Sequence, residues 1–400
     1  MKIAHITIYP AKNSKHVNAS GVASYTKNLL ENISVDTRDE VYVLCEKQGG
    51  VTDRYEEDGV TVIRCFDRSP GFIWQLHQEL KTLQPDVIHI QQELALFGNV
   101  ITAYLLQWLV RWWHERIVIT LHGVVSIKSI NKDFVRQNNA DLPVWLVKLA
   151  FKVIYAPLAK WTSRIIVHET YFKNILVEEY GASPEKVAVI HHGVEDLHII
   201  EQSTARKKIK VPPDAQVALY MGYLTGYKGI DLLIEGFAMH CKNNPKAFLI
   251  IGAGKHPKLE HDETYLAEYT RLQQKTNDLI PTQNYQWVGF IAEPDIPLYY
   301  SASDVSIYPY TVAMSSSGPM SFAIGFEKPF LASTVFADVF ADYPQLLFNR
   351  KPDALAAKLD AFFKDQQAFN KISQQLKKER LWQKVGEQTK MLYAEVAGGA

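Results

Sequence analysis

The chain has 400 residues, 47% of them hydrophobic and 22% charged, and its 43 lysines and arginines balance its 43 aspartates and glutamates. This length exceeds one typical core, so we expect two domains, and the neutral balance excludes a global field that would attract nucleic acid. Three scattered cysteines, Cys45, Cys65 and Cys241, lack the spacing of a zinc site or a disulfide framework. They indicate reduced thiols in a cytoplasmic protein, and no run of about 18 apolar residues predicts a membrane span.

Short β-rich segments alternate with longer helical patterns along the chain. The first half contains the strand-like segments KIAHITIY, EVYVLC, VTVIRCF, DVIHIQ, RIVITLHG, SRIIVHE and VAVIHHGV. After a polar stretch near residue 200 the alternation resumes with VALYMGY, AFLIIGAG, NYQWVGF, DVSIYPY and KPFLAS. This pattern predicts an α/β fold of two Rossmann-like domains with doubly wound parallel sheets. We expect domains over residues 1–200 and 201–375, a C-terminal helix over 376–400 that packs back on the first domain, and a ligand in the cleft between the domains.

The segment MGYLTGYKGIDLLIEGFA (221–238) carries the first candidate site. It predicts a strand that ends at Gly222, a loop that contains Lys228, and an amphipathic helix that Gly229 opens. A lysine beside a helix start suits a phosphate, although an isolated loop lysine is more often solvated. The position of this loop after the first strand of the second domain favours the phosphate.

A second candidate site lies in AMSSSGPMSFAIGFEKP (313–329). Serines followed by Gly318 and Pro319 predict a helix N-terminus, because hydroxyl side chains cap helices and proline is tolerated in the first turn. Such an end has free amides that attract anions. We expect the amides from Ser316 and Ser317 to Met320 to hold a diphosphate together with the lysine loop, and the serines to cap the helix.

Two helical segments, YLLQWLVRWWHERIV and WLVKLAFKVIYAPLAKWTSR, interleave tryptophans with cations. The tryptophans are Trp108, Trp112, Trp113, Trp145 and Trp161, and the cations are Arg111, Lys148, Lys152, Lys160 and Arg164. Two interpretations stay open. The helices form a basic amphipathic face on the inner side of an anionic membrane, or they pack in the core with their lysines in water.

Taken in order, five segments resemble retaining, nucleotide-sugar-dependent glycosyltransferases of family 4. They are SGVASYTKNLL (20–30), ITLHGV (119–124), VAVIHHGV (187–194), the lysine-loop segment, and the strand, loop and helix from DVSIYPY to FLAS (304–333). The resemblance implies the glycosyltransferase B fold, with acceptor-side and donor domains that face a cleft. It implies transfer of a sugar from a UDP-, GDP- or ADP-sugar to a saccharide or lipid-linked acceptor in glycan or polysaccharide synthesis, without a cofactor or an obligatory metal.

The resemblance also implies roles for single residues. Gly21 corresponds to a glycine whose backbone approaches the donor phosphates, and His122 to a catalytic histidine near the donor sugar. Lys228 corresponds to a catalytic lysine on the distal phosphates, and Gly289 lies where the family's backbone receives the base. Ordinary structural roles stay open for Gly21 as a turn glycine, for His122 as a satisfied strand-end histidine and for Gly289 as a strand-end glycine.

The chain departs from the family at several of these positions. Two glutamates eight positions apart are common around the donor loop, but Met314 and Phe322 occupy those positions, and Glu327 is out of register. We expect both apolar residues to pack the helix instead. An arginine commonly follows Gly222, and Tyr223 replaces it here, so one phosphate-binding cation is missing.

Other chemistry fits the sequence less well. GAGK (252–255) lacks the P-loop spacing, SGVAS lacks the context of a serine-hydrolase elbow, and adjacent His191 and His192 point opposite ways in a strand, so structural roles are expected for them. The alternatives to a transferase are a nucleotide-sugar epimerase on the same fold, a phosphorylase-like enzyme with pyridoxal phosphate, and a binding homologue without turnover.

Overall fold

The fold is taken from a computed structural model that describes residues 1–14, 21–33, 39–137, 142–257, 259–312 and 317–398. The chain divides into two compact units, Met1–Gly193 with Trp382–Ala400, and Val194–Leu381. The sequence pattern predicts the corresponding divisions near residues 200 and 375. No helix in the described part of the chain has the length and apolar character needed to cross a membrane.

The first unit contains an eight-stranded sheet in the order β3-β4-β2-β1-β5-β6-β7-β8. Its strands are β1 (Lys2–Ile6), β2 (Glu40–Glu46), β3 (Asp53–Glu57), β4 (Val60–Phe66), β5 (Val87–Gln92), β6 (Ile117–Leu121), β7 (Arg164–Val167) and β8 (Val187–Val189). All neighbouring strands are parallel except β3, an antiparallel edge strand that the sequence analysis missed. The order reverses between β1 and β5.

The first six helices also belong to this unit. They are α1 (Gly21–Asn32), α2 (Phe72–Leu83), α3 (Val100–Trp112), α4 (Lys132–Gln137), α5 (Val144–Trp161) and α6 (Thr170–Tyr180). The start of α3 has a capping box, in which the Asn99 side chain accepts from the amide of Thr102 while the Thr102 hydroxyl accepts from the amide of Asn99. Buried aliphatic side chains on both faces of β5 and β6 explain why these strands read as continuous apolar runs.

The second unit contains a six-stranded parallel sheet in the order β11-β10-β9-β12-β13-β14. Its strands are β9 (Gln216–Tyr223), β10 (Ala247–Gly254), β11 (Tyr285–Trp287), β12 (Val305–Tyr308), β13 (Phe330–Ser333) and β14 (Leu347–Phe348). Its helices are α7 (Gln202–Lys208), α8 (Ile230–Lys242), α9 (Glu263–Leu279), α10 (Ile296–Ala302), α11 (Gly318–Gly325), α12 (Pro352–Lys364) and α13 (Gln366–Arg380). The order reverses between β9 and β12, and ligands of such sheets bind at the carboxyl ends of the strands on either side of the reversal.

The last helix, α14 (Trp382–Gly398), packs within the first unit. A Cβ on Gly386 would lie 2.2 Å from the carbonyl oxygen of Asn32, so glycine allows α14 to approach α1 closely. Gly193 allows the same approach to the Trp382 ring, which a Cβ there would meet at 2.2 Å. The predicted α/β class with two parallel-sheet domains is confirmed.

Candidate functional site

The loop after β9 returns to the carboxyl end of its own sheet. β9 ends at Tyr223, a single 3-10 turn spans Gly226–Lys228, and Gly229 then opens α8. Gly229 has a φ of 69°, and a Cβ there would lie 2.1 Å from the carbonyl oxygen of Pro309, just beyond β12. Only glycine combines this left-handed backbone with so close an approach. The loop therefore lies at the switch point between β9 and β12.

The Lys228 side chain is buried in this loop, with 7% of its surface exposed. Its Nζ lies over Gly222, where a Cβ would come within 2.4 Å of it, and 5.7 Å from the centroid of the Tyr310 ring. Burial lowers the pKa of Lys228 to about 8. Within the described ranges no carboxylate or hydrogen-bond acceptor pairs with this ammonium. Burying a cation without an anion costs free energy, so this position favours the binding of an anion beside Lys228.

The N-terminus of α11 reaches the same place. Pro319 Cγ would lie 3.6 Å from a Cβ on Gly222, next to the Lys228 ammonium. The first backbone hydrogen bond of α11 runs from the Ser321 amide to the Ser317 carbonyl, at 2.8 Å. The amides of Gly318 and Met320 precede this bond, and the described residues offer them no acceptor. The structure thus brings the predicted lysine and the predicted helix start together.

The expectation that the serines cap α11 is wrong for Ser317. Ser317 occupies the N-cap position with an extended backbone, but its side chain accepts no amide hydrogen bond. Its Oγ instead lies 3.2 Å from the hydroxyl of Tyr310, which follows β12. The Ser317 hydroxyl therefore contacts Tyr310 in place of an α11 amide, and the amides of the first turn have no side-chain cap. Ser316 and Met314 lie outside the described residues.

Two further tyrosines hold the first turn of α11, and the sequence analysis missed them. The hydroxyls of Tyr300 on α10 and Tyr308 on β12 donate to the Pro319 carbonyl, at 2.6 and 2.7 Å. For Tyr308 the segment DVSIYPY contained the signal, since a buried tyrosine hydroxyl needs a polar partner. Phe322 packs against the Tyr300 ring, as expected from its apolar character, and Glu327 pairs with Lys377 at 3.2 Å. Neither Phe322 nor Glu327 replaces the missing donor-site carboxylates.

An aromatic platform lies beside the lysine loop. The Tyr223 ring stacks on Phe290, with centroids 5.6 Å apart and planes 14° apart, and the His256 ring makes an edge contact with Tyr223, with centroids 5.4 Å apart. Phe290 is 63% exposed, so one ring face of this pair is open. The preceding Gly289 has a φ of 73° and no atom within 4 Å of a built Cβ, which leaves its backbone accessible. Gly289 is among the residues predicted from the sequence and Phe290 is not, although both stand in the segment WVGF.

The carboxyl edge of the first unit has a different construction. His122 follows β6, and its amide donates to the Gln92 carbonyl at 3.0 Å. Its ring lies between Gln91, 2.9 Å from Nε2, and His168, whose Nε2 is 3.2 Å from His122 Nδ1. His168 Nδ1 lies 3.0 Å from the Ile190 carbonyl, to which it must donate. Both nitrogens of the His122 ring are therefore engaged.

Burial lowers the pKa of His122 well below its usual value, and the nearby His168, His192 and His89 add to this effect. The ring is therefore neutral at pH 7. The Gln91 atom beside His122 Nε2 is Oε1, an oxygen that only accepts, so the neutral His122 ring donates from Nε2 to Gln91, and its Nδ1 faces His168 Nε2. This arrangement suits fixed hydrogen bonding better than proton exchange with solvent, and the catalytic role of His122 stays a prediction.

Gly21 begins α1, and a Cβ built on it meets no atom within 4 Å. Its predicted approach to donor phosphates stays a prediction.

His191 Nδ1 lies 2.9 Å from the His168 carbonyl, whereas the His192 ring packs against Tyr25 and Trp382. Among the described residues no group of three potential ligands could hold a metal ion.

The outer face of α3 and α5 carries exposed tryptophans. Trp108, Trp112 and Trp145 are 43%, 44% and 66% exposed, so core packing does not account for them. Trp113 and Trp161 are half-buried, and the Arg111 guanidinium lies 5.0 Å from the Trp161 ring centroid. The two helices contain Arg111 and three lysines but no acidic residue. We call this surface, formed by the exposed side chains of α3 and α5, the tryptophan face.

Family models match both halves of the chain. The model for Glycosyltransferase Family 4 matches residues 19–196, and the model for Glycosyl transferases group 1 matches residues 201–379. The chain is 27% identical over 137 residues to mannosylfructose-phosphate synthase of Agrobacterium fabrum, which is 34% of this chain and 30% of that protein. It is 24% identical over 230 residues to a D-inositol 3-phosphate glycosyltransferase of Thermobispora bispora, which is 56% of this chain and 49% of that protein. The matches thus span less than half the length of these curated relatives.

Solved structures match the whole chain. Sucrose-phosphate synthase from Thermosynechococcus elongatus superposes with a TM-score of 0.69 at 19% identity, over 100% of both chains. Anabaena HepE in complex with UDP superposes with a TM-score of 0.65 at 16% identity, over 99% of this chain and 100% of that one. At such identities the likeness concerns the fold, and it confirms the predicted glycosyltransferase B architecture.

Proposed function

Because the chain belongs to the glycosyltransferase family that the family 4 and group 1 models describe, we propose that it transfers a sugar from a nucleoside-diphosphate sugar to a saccharide or lipid-linked acceptor with retention of configuration. The observation that carries this proposal is the buried Lys228 ammonium, which has no anionic partner among the described residues and lies beside the open amides of α11. Biosynthesis of a glycan or polysaccharide is the process that we propose for it.

A diphosphate fits this arrangement from two sides. Lys228 supplies one charge-assisted contact, and the amides of Gly318 and Met320 supply hydrogen bonds at the positive end of the α11 dipole. Gly318 has no atom within 4 Å of a built Cβ, so the approach to these amides is open. The lysine and the amides stabilise the negative charge of the departing diphosphate, so we propose that no metal ion is required.

The proposed reaction exchanges one glycosidic bond for another on the same face of the sugar. The bond from the anomeric carbon to the diphosphate oxygen breaks, and the acceptor hydroxyl oxygen bonds to that carbon. The acceptor proton goes to the departing phosphate oxygen. Lys228 stabilises the negative charge that grows on the diphosphate, and the predicted role of neutral His122 is that of a fixed dipole near the sugar.

The aromatic platform of Tyr223 and Phe290 is the proposed position of the nucleotide base. Bases stack on aromatic rings whatever their identity, and the accessible backbone of Gly289 adds hydrogen bonds at the base edge. This assignment gives Tyr223 a role although it replaces the arginine that is usual in the family. Solved structures of the similar Anabaena HepE contain UDP and UDP-glucose, which makes UDP the first nucleotide to test.

The test is calorimetric titration with UDP, GDP and ADP at pH 8.5 in two buffers of different ionisation enthalpy. At this pH Lys228, whose pKa is about 8, is about three-quarters deprotonated, and a bound diphosphate raises its pKa, so binding takes up as much as about three-quarters of a proton. The Lys228→Met variant, which keeps the side-chain volume, takes up none. Binding without proton uptake in the wild type would show that the diphosphate does not contact Lys228.

A binding homologue without turnover is the second candidate, because a half-buried Phe322 packs against the core at a position where the family commonly has a glutamate. Release of the nucleoside diphosphate from a sugar donor separates the two. Acceptor-dependent release with retention, followed by nuclear magnetic resonance of the new anomeric centre, supports the transferase. Release of an epimerised sugar without any acceptor identifies an epimerase, and tight binding with no release identifies the binding homologue.

We also propose that the tryptophan face lies on the inner surface of an anionic membrane. Indole rings favour the membrane interface, and the cations of α3 and α5 attract anionic lipids without opposing acidic residues on these helices. Changing Lys148, Lys152 and Lys160 together to glutamate should weaken binding to vesicles rich in phosphatidylserine by about 100-fold or more at low salt, since each lysine contributes about 1 kcal/mol.

A matched control changes the charge by the same amount on the other unit. Lys364, Lys371 and Lys378 are exposed lysines of α12 and α13, and their replacement by glutamate should leave vesicle binding nearly unchanged. Equal losses in both triple variants would assign the attraction to net charge alone. If the wild-type protein does not bind these vesicles, the tryptophan face does not bind an anionic membrane.

A further inference from the structure

The first unit contains an apolar cavity of 410 Å³, and all ten side chains that line it are apolar. Val147, Ala150 and Phe151 of α5 form one wall, and the exposed Val100 and Leu142 lie at its rim. Protein interiors are close-packed, with few voids larger than a water molecule, and an apolar cavity holds no ordered water. A cavity of about 150 Å³ already binds benzene. This cavity is large enough for a hydrocarbon chain of about a dozen carbons on the same scale.

The cavity lies at the carboxyl edge of the first sheet, close in the chain to His122. Val125 lines it and follows His122 by three residues, and Leu94 lines it two residues beyond β5. Tyrosines fix the loop between His122 and the cavity. Tyr155 donates to the Gly123 carbonyl at 3.1 Å, and Tyr180 donates to the Val125 carbonyl at 2.6 Å. A chain bound in the cavity would therefore have a defined position relative to His122.

The same helix, α5, lines the cavity on one side and carries the tryptophan face on the other. Positions 147, 150, 151 and 154 face the cavity, whereas Trp145, Leu149 and Val153 are exposed. The cations of α3 and α5, unopposed by acidic residues on these helices, complement an anionic head group. Charge and shape thus favour an amphiphile with a hydrocarbon chain and a negative head.

We propose that this cavity binds the hydrocarbon chain of an anionic, lipid-linked acceptor. The inference rests on the proposed transferase function and makes its acceptor class specific. Burial of each additional CH₂ should strengthen binding until the cavity is full, and the glycosyl-accepting end of the lipid then lies toward the loop that carries His122.

The experiment uses monomeric fatty acids, from octanoate to tetradecanoate, in calorimetric titrations of the full chain without vesicles. We expect affinity to rise about fourfold for each added CH₂ and to level off at about a dozen carbons. Ala150→Phe fills the cavity and should weaken dodecanoate binding at least tenfold. Ala156→Phe, a half-buried position of α5 that does not line the cavity, is the matched control and should bind dodecanoate as the wild type does.

A flat chain-length series, or equal dodecanoate affinity in the wild type and Ala150→Phe, overturns the proposal. Thermal unfolding checks that each variant is folded, and the milder Ala150→Leu provides a second filled cavity should Ala150→Phe not fold. UDP titration of the same samples separates this inference from the proposed function. UDP binding without dodecanoate binding removes the cavity proposal alone, whereas dodecanoate binding without any nucleotide binding removes the transferase and leaves a lipid-chain site.

Discussion

At the carboxyl edge of the first sheet, the ring nitrogens of His122 and His168 have partners within the protein, and both rings are neutral. At the carboxyl edge of the second sheet, Lys228 is buried with no anion, and the amides of Gly318 and Met320 have no acceptor in the described ranges. Both edges belong to parallel α/β sheets. At the first edge the two histidine rings are held by partners within the protein. At the second edge the unpaired ammonium lowers the stability of the ligand-free fold, and a bound anion would remove this loss.

The largest effect is expected from Gly318→Val. A Cβ at Gly318 meets no atom within 4 Å, so the fold should tolerate valine. The new side chain would stand in front of the open amides and should abolish measurable UDP binding in calorimetry. Ser317→Ala keeps the amides and removes only the contact with Tyr310, so it should lower affinity about 2- to 12-fold, as for a neutral hydrogen bond. Normal UDP binding by Gly318→Val would place the anion elsewhere.

Lys228→Met should weaken UDP binding about 10- to 150-fold, the loss expected for one charge-assisted contact. The same variant should stabilise the ligand-free protein, by up to about 3 kcal/mol at pH 7, because a lysine whose pKa burial lowers to about 8 is unfavourable when charged. Denaturant unfolding and calorimetry measure both effects. Lys242→Met changes an exposed lysine on the far end of α8 and should alter neither. A destabilised Lys228→Met protein would mean that the ammonium has a partner in the folded chain.

Acid should destabilise the first unit before the second. Burial lowers the pKa of both His5 and His168 to about 3. Below about pH 6.5 the unfolded chain binds protons that the folded chain excludes, so stability falls by about 1.4 kcal/mol per histidine for each pH unit down to about 3. Hydrogen exchange at pH 4.5 should show loss of protection in β5 and β6 before β9 and β12. Simultaneous loss in all four strands would contradict the contrast.

The smallest effect is expected from His122→Ala. If His122 has its predicted role near the donor sugar, its loss should lower kcat about 2- to 12-fold, with UDP affinity unchanged because the proposed nucleotide contacts all belong to the second unit. The wild-type kcat should show no ionisation near pH 6.5, since the His122 pKa is well below that value. Turnover that falls with a pKa near 6.5 in the wild type and loses this dependence in the variant would make His122 a proton carrier.

Much of the fold could be predicted because buried parallel strands read as apolar runs. All the strand-like segments in the sequence analysis correspond to strands. The two strands that were missed lack such a run, since β3 is the polar edge segment DRYEE and β14 has only two residues. Their existence depends on a neighbouring strand that supplies hydrogen bonds, and local sequence does not encode that neighbour.

The candidate site was predictable where a backbone conformation requires a particular residue type. Gly222, Gly229 and Gly289 have positive φ, and the lysine loop and the α11 start were recognisable from glycine, proline and serine alone. The hydrogen-bond partner of Ser317 was not predictable, because its hydroxyl could bond either a local backbone amide or the Tyr310 hydroxyl. Phe290 was missed because only the stacked Tyr223 ring distinguishes it from any exposed phenylalanine.

The sequence by itself determined the class of fold, the strands, the two loops that converge on the switch point, and the family, because these depend on periodicity and on residues with special backbone freedom. Only the tertiary structure decided that Lys228 is buried with no anionic partner among the described residues and that His122 lies between Gln91 and His168. It also decided that α3 and α5 expose tryptophans and that α5 lines an apolar cavity. The reason is physical. Burial, charge pairing and cavity volume depend on residues far apart in the chain, and only the packed fold brings them together.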